Sequence, residues 1–416
     1  MGRRVRSRPI AQLPSRRVVT IPSPHPDTVR TPSNVRIAYA TDTCVPDVNG
    51  VATVLDTLVT GVHQRGHQTF LVAPSPAKRV EIVRRSDEIL RRPSIPCPGY
   101  AAVQLSWPWD PAVRKSLEQF SPDVIHAVTE GPIGLQGRAF AIEHSIPLVT
   151  SYHTDFPAYA ERYVGRWMVK PAVRYLSWFH RPARLTQTPS HVVASTLRER
   201  GVGPVEVWGR SVDARAFHPR LRNDVLRQSL GVGDRVLVLH VGRIALEKGL
   251  TTLIDAFRGA HAELGDGAVF CVAGDGPMAG QVRESLPFAR HLGFIPRSEL
   301  AILYASSDLF VFPSATETCG LVALEAMASG LPVIGARAGG VIESVQDGLT
   351  GALIAPGDAE GFARSIVRLA RDGPELSAMS VAARAFAAGR DWQTELDCVV
   401  ETYASLAGED PAERAA

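Results

Sequence analysis

Cysteine is scarce in this chain: five in 416 residues, at Cys44, Cys97, Cys271, Cys319 and Cys398, with no C-x-x-C pair among them. An odd number of scattered thiols speaks against a disulfide framework and against a cysteine zinc site, and it fits a reducing, cytoplasmic setting. No run of ~18 apolar residues occurs, so no spanning helix is expected. The N-terminus also lacks the apolar stretch of a secretory leader. A strong excess of one charge sign is missing too, the net charge being +3. Seven arginines against Asp27 give residues 1–34 a net +6, which leaves −3 for the rest. A body without excess positive charge is a poor partner for nucleic acid. Residues 1–34, rich in Pro and Ser and without periodicity, read as a disordered basic tail. Such a tail can touch anionic lipid or be a solvated leader of no specific role.

What is present is a rhythm. Val35–Ala40 reads as a buried strand, Val51–Gln64 as a helix ending near Gly66, and Gln68–Ala73 as the next strand. Val124–His126, a helix over Gly134–Glu143 and Pro147–Ser151 repeat it. Leu185–Thr188, a helix over Ser190–Arg200 and Val205–Trp208 follow. A polar, irregular segment, Gly209–Asp234, interrupts the pattern. It restarts at Val236–Val241 and runs through a helix over Gly249–Arg258, Val269–Ala273, Leu309–Phe312, a helix over Leu321–Ala328 and Pro332–Gly335. Alternating short apolar runs and amphipathic stretches imply parallel sheets with helices on both faces. Two complete sets predict an α/β fold of two Rossmann-like doubly wound domains facing a cleft. The expected division is 1–34 for the tail, 35–213 for the first domain and 214–390 for the second. Residues 391–416 hold a last helix, Trp392–Leu406, that crosses back to the first domain, and a tail. Ligands of such sheets bind beyond the carboxyl ends of the strands.

Four constellations stand at those ends. The first is Glu317-x7-Glu325, after Leu309–Phe312 and the turn Pro313-Ser314. Gly320 is placed to open the helix that carries Glu325, and free amides at a helix start receive phosphate or a sugar hydroxyl. An arbitrary pair of carboxylates at this spacing is ordinarily surface charge; the flanking residues favour a site. The second is Val241-Gly242-Arg243, with Lys248 at the next helix start. Two cations there can neutralise a diphosphate as it leaves, although alone they read equally well as exposed loop charges. The third is Pro46–Val51, where Asn49 and Gly50 sit at a strand–helix turn and the glycine allows close backbone approach. It is not G-x-G-x-x-G, and Gly274-Asp275-Gly276-Pro277 is by itself no more than a tight turn, so the dinucleotide fingerprint is absent. The fourth is Tyr152-His153-Thr154-Asp155. A lone histidine is more often structural, but this one and its carboxylate lie beyond a strand end. No Asp-x-Asp pair has a credible metal-clamp setting, so neither a metal nor a cofactor is expected.

Over residues 35–406 these motifs resemble glycosyltransferase family 4, the retaining enzymes of GT-B fold. From Tyr152 to Pro219 the chain is similar to bacterial GDP-mannose-dependent α-mannosyltransferases and to sulfoquinovosyl transferases. The telling pieces are Tyr152–Asp155, Trp208–Asp213 and Phe217-His218-Pro219. The resemblance implies an acceptor-side first domain and a nucleotide-sugar-binding second one. It puts Gly50, Arg243 and Lys248 near the diphosphate, His153 near the transferred sugar, Glu317 on the sugar hydroxyls and Glu325 on the ribose. Gly293-Phe294-Ile295 becomes the nucleobase shelf. Asn49, Asp155, Thr318, Cys319, Gly320 and Leu321 complete the expected donor site, with His153, Arg243, Lys248 and Glu317 as its catalytic members. Cys319 departs from the bulkier apolar residue usual there, which leaves the donor sugar open. Front-face transfer is implied, the leaving phosphate helping to deprotonate the acceptor while Glu317 orients the donor.

The expected donor is GDP-mannose first and a UDP-sugar second; the expected acceptor is a lipid or glycan. Residues 161–184 read as a helix mixing Arg162, Arg166, Lys170, Arg174, Arg181 and Arg184 with Tyr163, Trp167, Tyr175, Trp178 and Phe179. Such a helix either lies in a bilayer interface, giving peripheral contact with an anionic membrane at its inner face, or packs as an ordinary domain helix. An epimerase on the same architecture would release no nucleoside diphosphate in response to an acceptor. A non-catalytic nucleotide-sugar-binding protein would have less reason to keep Arg243, Lys248, Glu317 and Glu325, and a dehydrogenase lacks its glycine fingerprint.

Overall fold

The computed structural model describes residues 34–47, 49–76, 88–97 and 100–409. The basic tail, apart from Asn34, and the residues after 409 lie outside the described residues, as does Val48 of the first turn.

The first half runs β1 (Arg36–Ala40), α1 (Gly50–Gln64), β2 (Gln68–Pro74), β3 (Glu88–Arg92), β4 (Ser94–Cys97), β5 (Tyr100–Ser106) and α2 (Pro111–Phe120). It continues through β6 (Val124–Ala127), α3 (Pro132–Glu143), β7 (Leu148–Ser151), α4 (Phe156–Tyr163), α5 (Val169–His180), β8 (Leu185–Thr188), α6 (His191–Glu199) and β9 (Val205–Val207). Seven strands form a parallel sheet in the order β3-β2-β1-β6-β7-β8-β9. Its central strands are buried except for Arg36 at the start of β1, as sheets covered on both faces require. The antiparallel hairpin β4–β5 stands outside that sheet.

The second half runs α7 (Asp224–Ser229), β10 (Val236–Val241), α8 (Leu250–Leu264), β11 (Ala268–Ala273), α9 (Ala279–Ser285), β12 (Arg290–Gly293) and α10 (Arg297–Ala305). Then come β13 (Leu309–Phe312), α11 (Leu321–Ala328), β14 (Val333–Ala336), α12 (Val341–Ser344), β15 (Gly351–Ile354), α13 (Ala359–Arg371), α14 (Gly373–Ala388) and α15 (Trp392–Gly408). Its sheet is parallel in the order β12-β11-β10-β13-β14-β15. In both sheets the third, second and first strands are followed by the fourth, fifth and sixth, the doubly wound order. The order reverses between β1 and β6 and between β10 and β13, which is where such sheets open a ligand crevice.

Two readings are corrected. Gly209–Asp234 is not wholly irregular, since Asn223 caps α7 by accepting from the Leu226 amide. Residues 161–184 are not one helix. Gly165, at φ 127°, breaks the stretch between α4 and a 3-10 turn at Arg166–Met168.

The last helix returns to the first half. Leu396, Val399 and Tyr403 of α15 join the core that contains Val54, Leu58 and Val62 of α1. The helices approach so closely that a Cβ at Gly61 would lie 2.4 Å from Leu396 Cδ1. Buried His126 is held between the Tyr403 hydroxyl and Ser151 Oγ, each at 2.7 Å. Burial pushes its pKa down to about 3, so the ring is neutral. Among the described residues no helix is long and apolar enough to cross a membrane.

Candidate active site

Both crevices open on the same seam. Beyond β10, Arg243 is half-buried on the loop. Lys248 ends a short 3-10 turn, Leu246–Lys248, just before α8. Beyond β13, Ser314 and Glu317 lie on the loop that leads to α11. The Lys248 ammonium is ion-paired with Glu317 Oε1, and Ser314 Oγ donates to the same oxygen at 3.2 Å. Glu317's loop is held from behind: the Gly340 amide donates to the Glu317 carbonyl at 2.7 Å. A Cβ at Gly340 would lie 2.3 Å from the Thr318 carbonyl, so no larger residue fits without moving the loop. Gly320, at φ 75°, turns the chain into α11, and among the described residues no side chain caps that helix start.

Glu325, on the second turn of α11, is 4% exposed. Its Oε1 lies 2.7 Å from Arg297 Nη2. Burial raises its pKa, and Arg297 opposes that rise. Cys319 is buried and donates to the Gly209 carbonyl at 3.6 Å. Burial pushes its thiol up to about 12, so it is a protonated filler and no nucleophile. Phe294, at the end of β12, is exposed.

The first half meets these loops directly. Asn49 caps α1, accepting from the Ala52 amide at 2.9 Å, while its Nδ2 donates to Thr43 Oγ1 at 2.8 Å. A Cβ on Gly50 would lie 3.6 Å from Leu321 Cδ1, so the first turn of α1 faces the first turn of α11. Thr318 Oγ1 donates to the His153 carbonyl at 2.6 Å. His153 itself is half-buried, with a pKa held down to about 4 by burial and then by His180. Asp155 is committed as the cap of α4, accepting from the Ala158 amide at 3.3 Å.

Several residues at the seam carry no motif that sequence reading could weigh. Glu247, 2% exposed, accepts the hydroxyl of Tyr163 from the other half. Its carbonyl takes the Thr316 hydroxyl at 3.1 Å. Glu343 of α12 accepts the His191 and Val192 amides that open α6, at 3.1 and 2.9 Å. It also pairs with buried Arg210 at 2.6 Å. Arg297 is a further case. Gly274, read as a tight turn, backs the cation loop: the Gly242 amide donates to the Ala273 carbonyl, and the Ile244 amide to that of Asp275.

The aromatic stretch divides by face. Phe179 is buried, and the Tyr175 hydroxyl donates to the Glu130 carbonyl. Trp167 and Trp178 face outward at 71% and 49% exposure, beside exposed Arg166, Lys170 and Arg174.

Comparison with known proteins decides the family. The model described as Glycosyltransferase Family 4 matches residues 48–216, and that of the glycosyl transferases group 1 matches 223–386. The GDP-mannose-dependent alpha-mannosyltransferase of Mycobacterium tuberculosis is 31% identical over 90% of this chain and 97% of its own length. The chain belongs to glycosyltransferase family 4. Another member, the sulfoquinovosyl transferase of Arabidopsis thaliana, is 37% identical over 72% of this chain, which spans 60% of that protein. The crystal structure of HepE from Anabaena in complex with UDP and glucose superposes with a TM-score of 0.72 at 22% identity, covering 89% of this chain and all of that one. The fold is therefore GT-B, and the chain is a glycosyltransferase of the family-4 type.

Proposed function

We propose that the chain is a retaining, metal-independent hexosyltransferase that moves mannose from GDP-mannose to a lipid or glycan acceptor at the inner face of a membrane. The observation that carries the donor is the mycobacterial relative, GDP-mannose-dependent by name and matched over 97% of its length. In this reading residues 35–213 serve the acceptor and 214–390 the donor, with α15 bound back to the first.

The diphosphate enters between Gly50 and the free amides of α11, beside Arg243 and Lys248. As the bond from the sugar C1 to the phosphate oxygen breaks, negative charge grows on that oxygen, and the two cations and the helix amides stabilise it. The acceptor oxygen bonds to C1 on the same face and passes its proton to the leaving phosphate, giving GDP and a glycosylated acceptor. Glu317, already aimed by Lys248 and Ser314, orients the sugar hydroxyls. His153, neutral at pH 7, serves as a hydrogen-bonding group near the sugar. Glu325 takes the ribose, and the strand end at Phe294 supports the base. Trp167 and Trp178 among exposed cations suit an anionic bilayer, and hence a lipid acceptor.

A UDP-sugar donor, glucosyl or sulfoquinovosyl, is the second reading, favoured by the 37% identity to the plant relative. A thermal-shift panel of GDP, UDP, ADP and their sugars separates the two, because a ligand of the native state raises its melting temperature. Stabilisation by GDP and GDP-mannose above the other nucleotides supports the first reading. Stabilisation by the uridine series alone replaces it with the second, and no shift with any nucleotide sinks both.

A further inference from the structure

Arg297 is the first residue of α10, directly after the strand end that carries Phe294. Its guanidinium lies 4.9 Å over the ring of Phe217 and reaches Glu325 Oε1 at 2.7 Å. Phe217 is 1% exposed and fixed in the core, so the cation has a rigid floor. The guanidinium side chain is half-exposed while its carboxylate partner is buried at 5%. Arg297 therefore stands at the mouth of the crevice, between the base-side strand end and the carboxylate behind it.

Arg384 and Glu343, on two helices packed against α11, have other partners. Arg384 of α14 donates to the carbonyls of Phe217, Ala328 and Ala214. Glu343 of α12 is paired with Arg210. Tyr304, on α10 with Arg297, is fully buried, and among the described residues its hydroxyl has no hydrogen-bond partner. Burial first, and the neighbouring Glu325 next, raise its pKa well above the ordinary value, so it stays neutral. Among the described residues, Arg297 is the cation paired with Glu325.

We propose that Arg297 is a positioning residue for the nucleotide's ribose, holding the Glu325 carboxylate ionised and aimed so that it accepts the ribose hydroxyls. This rests on the reading that Glu325 meets the ribose. A carboxylate accepts only, whereas the protonated acid must spend one oxygen as a donor. Burial alone would drive Glu325 toward the acid, and the guanidinium opposes that drive. With one oxygen held by Arg297, the other is left for a hydroxyl. As pH falls, Glu325 gains its proton and the ribose loses its acceptor. Without Arg297 that loss starts at higher pH.

The test is titration calorimetry of GDP and 2′-deoxy-GDP, with the uridine pair in parallel, on the wild type, Arg297→Met and Arg297→Lys between pH 5.5 and 8. The wild type should prefer the ribonucleotide about tenfold or more, the usual worth of a hydrogen bond to a charged group. In Arg297→Met that preference should shrink most at pH 5.5 and recover toward pH 8, with the deoxynucleotide affinity unchanged. Arg297→Lys should restore it. A preference that survives in Arg297→Met at every pH overturns the proposal and leaves the ribose reading standing. Equal losses for both nucleotides also overturn it, because Arg297 would then act on another part of the ligand. A wild type that binds both sugars equally removes Glu325 from the ribose and takes the proposal with it.

Discussion

Glu343→Ala tests how the two halves are held. Glu343 supplies acceptors to the first two amides of α6, and it pairs with Arg210, whose side chain is 8% exposed. Among the described residues, Nε and Nη2 of Arg210 have no hydrogen-bond partner, so Glu343 is the acceptor found for the guanidinium. Removing one partner of a buried pair costs about 3–5 kcal/mol, because the other charge stays buried and uncompensated. Losing a carboxylate from a helix start adds about 0.3–1 kcal/mol. Urea unfolding followed by tryptophan fluorescence should therefore show Glu343→Ala less stable by about 3–6 kcal/mol. Replacing the cation as well, in Arg210→Met/Glu343→Ala, should recover most of the loss, since neither charge is then stranded. A single-variant loss under ~1 kcal/mol, or a double variant as costly as the two singles added, would refute the reasoning.

Gly50→Ala places its Cβ 3.6 Å from Leu321, an ordinary contact, so the melting temperature should hold while GDP affinity in calorimetry drops about tenfold or more. Wild-type affinity would remove the diphosphate from that turn. The metal-independent transfer proposed above should persist in EDTA; abolition by EDTA and rescue by Mg²⁺ or Mn²⁺ would show the mechanism wrong. Arg166, Lys170 and Arg174 changed to Glu should weaken co-sedimentation with anionic vesicles at low salt and leave GDP binding intact; unchanged sedimentation would assign the stretch to packing. His126, His153 and His240 have pKa values lowered to between about 3 and 4, below the ordinary 6.5. Unfolding lets them take up protons, so the melting temperature should fall as pH drops from 6.5 toward 4; a flat profile over that window would contradict their neutral burial.

The fold was legible because its core strands are continuous apolar runs. Val236–Val241 and Leu309–Phe312 read as strands from the sequence and are strands of the same length in the structure. What escaped was amphipathic or edge structure. No residue of β3 is buried, and it shows no apolar run to find. β4 and β5 pair with each other outside the parallel sheet, so the strand–helix rhythm does not mark them. The placement of Arg243, Lys248, Glu317 and Glu325 beyond strand ends and at helix starts was legible, because apolar runs and Gly320 mark those ends. Glu247, Glu343 and Arg297 were not, and Tyr163 was read as part of the aromatic stretch, not as a seam contact. Each acts through a partner 28 to 152 positions away, and no local spacing records such a pairing. Asp155 shows the converse: a motif residue that the structure occupies as a helix cap.

The return of α15 sets the order in which this protein is completed during its synthesis. The ribosome delivers β1 to β9 first, yet Leu396, Val399 and Tyr403 belong to their core. At roughly 5–20 residues per second the wait is on the order of tens of seconds, and the second sheet has time to form within it. Until α15 arrives, the face of α1 at Gly61 and the polar pocket around His126 stand open. The first half is therefore the last to close, and a nascent chain halted before Trp392 exposes an apolar surface that a chaperone would bind.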